Sequence, residues 1–186
     1  MVDLEGLANH KGSSFGAIGQ PAQPSVEQFE NLLAEQLRKI NVDQVLWVEN
    51  ESRRIGQIIL PDSFYLQMTQ SPRIEIDKTE EERIVHIASE YAALDQGELS
   101  AAVLRLQKRL GGDRTKQALE AIQTNQPEIW IPILLLYYDK TYEFDLQRHE
   151  VSKTIRLNLQ GLSLEDQVTL LLQTKPKVNG TSHPTH

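Results

Sequence analysis

Hydrophobic positions in the first half of the chain come as short runs between amphipathic stretches. Val2 and Leu4 predict a short strand over residues 1–4. Residues 9–24, NHKGSSFGAIGQPAQP, hold three glycines and two prolines, a composition that predicts a loop. Ser25 with Gln28 three positions on predicts a capping box, and Phe29, Leu32, Leu33 and Leu37 line one face of the helix that follows. The uninterrupted apolar run at 45–48 predicts a strand covered on both faces. A second short strand is expected at 58–60, a loop at Pro61, a helix over 63–69 and a strand over 73–76. Thr79 with Glu82 caps a helix that carries Ile84, Ile87, Ala88 and Tyr91 at helical spacing.

From about Leu99 the period is helical almost throughout, with breaks predicted at Gly111-Gly112, Pro127 and Pro132. Residues 154–159 predict a last strand, and Ser163 caps a final short helix. Tyr138 and Tyr142, four apart, are expected to pack together, with Tyr137 on a neighbouring face. The expected architecture is α/β, one domain over 1–172. A parallel sheet occupies 1–95, a mostly helical extension 96–172, and a polar, disordered tail 173–186.

Composition narrows the function classes. The formal net charge is -7, so any RNA contact must be a local patch, because phosphate neutralisation supplies most RNA affinity. The absence of cysteine excludes disulfides, thiolate zinc sites and cysteine nucleophiles from these residues. No apolar run is long enough to cross a bilayer and no leader opens the chain, so a cytoplasmic location without membrane contact is expected.

Candidate chemistry falls into clusters. Asp3, Glu5, His10, Lys11 and Ser13 lie in and before the glycine-rich loop, where cationic and hydroxyl groups suit phosphate oxygens. A plain surface loop is the alternative. Glu49 and Glu51 follow the apolar run at 45–48, the Walker-B arrangement in which a carboxylate holds magnesium or its waters. Arg53 and Arg54, just beyond, can clamp a diphosphate; a solvated turn is the competing reading. The cations of KRLGGDRTK, 108–116, could form an anion-binding patch for RNA, but offsetting helix dipoles is the preferred reading. The histidines show no metal-ligand spacing.

Taken in order and spacing, DLEGLANHKGSSFG, QFENLL at 28–33, LWVENESRRIG with Pro61, EERI at 81–84, Glu90-Tyr91, KRLGG with Arg114, and LYYDKTY at 136–142 resemble a known family. Over residues 2–148 the chain is similar to the C-terminal P-loop-type domain of bacterial tRNA 2-selenouridine synthase. The resemblance implies an incomplete P-loop-NTPase-like sheet. It implies an enzyme that converts wobble 2-thiouridine to 2-selenouridine through an S-geranylated intermediate, with geranyl diphosphate, selenophosphate and magnesium as the small molecules. Full-length members carry a rhodanese-like domain with a reactive cysteine, then the phosphate loop. This chain has no cysteine and no GxxxxGK[ST] stretch, and Met1 falls beyond the position of that loop; Lys11 stands where the family has arginine. The expectation is a piece that meets tRNA through the complete enzyme, with a separate polypeptide carrying the rhodanese and phosphate-loop segments. A non-catalytic stand-alone binding module is the alternative.

Overall fold

A computed structural model describes residues 1–41, 43–146 and 154–174. At the start of the chain the expected strand is cut short. The Asp3 carboxylate accepts the Gly6 N–H at 2.6 Å and turns the backbone at once into helix α1 (Leu4–Ala8), which Asn9 ends at φ 49°. Only Val2 keeps strand character, bridging Val48 in parallel and donating its N–H to the Trp47 carbonyl at 2.9 Å. The run at 45–48 is likewise reduced to that single bridge. Val45 is 61% exposed and no second neighbour pairs with this run among the described residues, so the expected cover on both faces is not there.

Helix α2 (Val26–Arg38) starts at Ser25, whose hydroxyl accepts from the Gln28 N–H at 3.1 Å, one half of the expected capping box, and buries Phe29 and Leu33. Strands β1 (Arg54–Ile55) and β2 (Ile58–Ile59) form an antiparallel hairpin. Gly56, at φ 60°, supplies the positive φ that a two-residue hairpin turn needs at its first position. Helix α3 (Asp62–Gln70) follows. A first core gathers Val2, Leu4, Ala8, Phe29, Leu33, Ile55, Ile58 and Leu60.

Beyond the Val2–Val48 bridge, parallel pairing runs across the chain rather than within its first half. Strand β3 (Arg73–Asp77) lies in register beside β4 (Thr154–Asn158), which comes from the helical extension. Helix α4 (Glu80–Tyr91) opens with a complete capping box. Glu82 N–H donates to the Thr79 hydroxyl at 3.1 Å, and Thr79 N–H to the Glu82 carboxylate at 3.0 Å. Helices α5 (Gln96–Arg105), α6 (Gln107–Leu110), α7 (Gly112–Gln123) and α8 (Pro127–Leu146) then build a second core. Gly111, at φ 86°, separates α6 from α7. Pro127 opens α8, but Pro132 lies inside it and does not break it. The missing hydrogen bond is outweighed by burial, since Trp130, Ile131, Ile133, Leu134 and Leu135 around it are all in the core. Ser163 caps α9 (Leu164–Gln173). Residue 173 is therefore helical, and 175–186 of the expected tail lie outside the described residues. The result is an incomplete α/β fold with a helical extension.

The glycine-rich loop joins the two cores. Phe15 and Ile18 are buried in the helical core, while Ala8 just before the loop belongs to the first. At its far end the Gln23 amide donates to the carbonyls of Ala8 and Ile55, both at 3.0 Å, and accepts the Gln57 N–H at 2.8 Å. One side chain thus ties loop, α1 and hairpin together.

Candidate functional site

The loop over 10–16 is held mostly by its own backbone. Lys11 N–H donates to the Gly16 carbonyl at 3.0 Å, Gly16 N–H to Ser13 at 3.0 Å, and Phe15 N–H to the Ser13 hydroxyl at 3.1 Å. Ser14 N–H donates to the Tyr138 hydroxyl of α8 at 3.3 Å, and Arg105 of α5 donates to the Ser14 carbonyl at 2.9 Å. These amides are therefore committed, and a ligand would meet side chains first. Lys11 reaches Glu90 of α4 at 3.1 Å and lies 5.1 Å from the centre of the Tyr91 ring.

Carboxylates converge beside this loop. The Glu49 side chain accepts the Leu4 N–H at 2.9 Å, linking the end of the 45–48 run to the first turn of α1. Glu51 lies against Gly12, whose φ is 64°. A Cβ there would stand 2.7 Å from both Glu51 carboxylate oxygens, so only glycine admits this approach. Glu5 and Glu51 share a hydrogen bond. Burial, then the Glu51 charge, pushes the Glu5 carboxyl up to about 7, with Asp3 and Glu90 adding to the effect. Burial also raises Glu51 and Glu49, each against opposing hydrogen bonds. Two carboxyls sharing a proton near neutrality can exchange it with a ligand, and their negative field favours a cation or a cation-carrying anion.

Asp3, Glu5, Glu49 and Glu51 are thus tied together by α1 and the residues after the Val2–Val48 bridge, with Lys11 and Ser13 on the adjoining loop. His10 is in the same loop but only 8% exposed, packed against Gly16 and Gly56, and burial lowers its pKa. Its Nδ1 has no partner among the described residues. Arg53 and Arg54 are not drawn in. Arg53 pairs with Asp62 at the start of α3, and Arg54 is exposed on β1. Among the described residues no three histidine or carboxylate groups are arranged to hold a metal ion. The sequence reading missed Glu90 as a site residue, although the Glu90-Tyr91 pair is legible; its partner Lys11 lies 79 positions away, beyond any local spacing rule. It also missed Tyr138, which holds the loop where the spacing suggested packing on Tyr142. The rings of Tyr137 and Tyr138 meet with centroids 5.0 Å apart, and the pKa of the Tyr142 hydroxyl is raised first by burial and then by Glu51, Tyr138 and Glu5, so it stays near Tyr138 and the carboxylates.

The family model described as the tRNA 2-selenouridine synthase AAA domain matches residues 1–163. A protein of Marinobacter nauticus named tRNA 2-selenouridine synthase is 35% identical, the match covering 83% of this chain and 50% of the relative. The synthase of Shewanella frigidimarina is 37% identical over 80% of this chain and 49% of its own length. That of Sulfurovum sp. is 33% identical over 87% and 52%. The chain spans about half the length of the curated relatives it matches. No solved structure matches. With the family's domain matched over nearly all of its described length, the chain belongs to the tRNA 2-selenouridine synthase family.

Proposed function

We propose that this chain supplies part of the diphosphate- and tRNA-binding domain of a cytoplasmic tRNA 2-selenouridine synthase. That enzyme would convert wobble 2-thiouridine to 2-selenouridine through an S-geranylated intermediate, with geranyl diphosphate and selenophosphate as co-substrates. The observation that carries the reading is the Glu5–Glu51 pair set against Gly12 beside Lys11, an acidic cradle with one cation on the loop the family shares. In this reading Lys11 and Ser13 face phosphate oxygens, His10 props the loop from below, and Arg53 and Arg54 flank the site once Arg53 leaves Asp62. Magnesium would arrive with the diphosphate, Glu49 and Glu51 meeting its waters; magnesium commonly keeps several waters and takes only one or two carboxylates. The reactive cysteine and the phosphate loop would come from the enzyme's rhodanese and P-loop segments, supplied for the test as a polypeptide. Co-expression with such a polypeptide should give a soluble complex. Calorimetric titration of that complex with geranyl diphosphate and magnesium should show binding that Lys11→Ala and Glu51→Gln weaken. A folded complex that takes up no geranyl diphosphate would leave the chain a non-catalytic binding module.

A further inference from the structure

The fold brings together a set of groups that spacing along the chain does not. Residues 105–116 carry five cations against one acid in a chain of net charge -7. Lys108 and Arg109 fall on the last turn of α6, which buried Leu110 pins to the helical core. Facing them on α8 are Tyr137, Lys140 and Thr141, which with Arg109 line an open depression of about 430 Å³. The Arg109 guanidinium stands 5.6 Å from the Tyr137 ring centre and donates to its hydroxyl at 2.5 Å. That bond fixes the plane of the guanidinium while leaving further N–H groups of its fork for an outside acceptor.

We propose that this depression between α6 and α8 is an RNA contact, in which Arg109 and Lys140 take backbone phosphates and the Tyr137 edge meets a sugar or an unstacked base. The inference rests on the reading of the chain as part of a tRNA-modifying enzyme. A fixed guanidinium, a second cation and a partly exposed aromatic ring are the groups by which proteins hold single-stranded or looped RNA. The acidic balance of the chain repels RNA, so a basic patch also sets how the RNA docks. The patch adjoins the candidate site through two consecutive residues of α8: Tyr137 lines the depression, and Tyr138 accepts the Ser14 N–H of the glycine-rich loop. RNA seated on Tyr137 is thereby brought toward the Glu5–Glu51 pair.

Fluorescence anisotropy with a labelled tRNA tests this, comparing the unaltered chain, the double variant Arg109→Glu/Lys140→Glu, and a charge-matched control, Arg38→Glu/Lys39→Glu, at the C-terminal end of α2. The α6–α8 variant should lose at least about tenfold in affinity, with the slope of log affinity against log salt falling by about 1 per lost phosphate contact; the control should stay near the unaltered chain. Circular dichroism confirms that each variant is folded, and Tyr137→Phe, which keeps the ring and frees Arg109, gives a milder second variant. Equal losses in both double variants, or none in the α6–α8 variant, overturn the inference while leaving the diphosphate reading standing. So does an unaltered chain that binds no tRNA, or one that binds polyglutamate as tightly as tRNA, which would mark the patch as a site for an acidic protein. Failure of the diphosphate titration alone strikes the reading and not the patch.

Discussion

Replacing Glu5 by glutamine should make the protein more stable above neutral pH and leave it nearly unchanged at pH 5. The Glu5 carboxyl, hydrogen-bonded to Glu51, is raised from 4.5 to about 7, first by burial and then by the Glu51 charge. The folded state therefore holds a proton that the unfolded chain gives up at lower pH. Between pH 4.5 and 7 the folded state binds more protons than the unfolded one, so stability falls as pH rises through that window. Below 4.5 both states are protonated and the contribution is fully present; above about 7 it is gone. At about 1.36 kcal/mol per unit the shift sets an upper bound of about 3.4 kcal/mol. Glu5 is only partly buried and water screens its charge, which brings the expected effect to about 1–2 kcal/mol. Glutamine keeps the size and donates to Glu51 as the protonated acid does, but it never ionises. Urea unfolding of both proteins at pH 5 and pH 8 reads this directly. The native protein should lose stability between the two conditions, and Glu5→Gln should lose less, the difference being about 1–2 kcal/mol. An equal pH response in the two proteins, or Glu5→Gln less stable at pH 8, would refute the shared proton.

Two further outcomes follow from the geometry around that pair and beneath it. Gly12→Ala forces a Cβ at φ 64° to within 2.7 Å of both Glu51 oxygens, and should cost about 1–3 kcal/mol in thermal unfolding while displacing Glu51. Phe29→Ala empties a fully buried position in the first core and should cost about 3–5 kcal/mol by urea titration.

Local chemistry was legible where one short-range rule sufficed. Thr79 and Glu82 marked the start of α4, and Ser25 and Ser163 marked theirs, because caps act within three residues. Errors arose where tertiary burial or a competing local bond decided. Asp3 in DLEG is itself a helix cap, yet the apolar Val2 and Leu4 on either side suggested a strand. Pro132 looked like a break, because the apolar surroundings that keep α8 intact are supplied by other helices. The candidate site was half legible: the loop and the two carboxylates stood out by composition. The Lys11–Glu90 pair, the Arg53–Asp62 pair and the seat of Tyr138 under Ser14 depend on how the chain folds back, which no spacing encodes.

The pairing of β3 with β4 sets an order of events in synthesis. Arg73 and Thr154 face each other across 81 positions of sequence. At about 5–20 residues per second, β3 waits roughly 4–16 s after leaving the ribosome's catalytic centre before its partner exists. Through that interval Ile74 and Ile76 present an open strand edge, while α4 to α8, all made before β4, have time to assemble with Phe15 and Ile18. The last strand then closes onto a helical body already formed, so a nascent chain stalled before residue 154 should be the form most prone to strand-mediated aggregation.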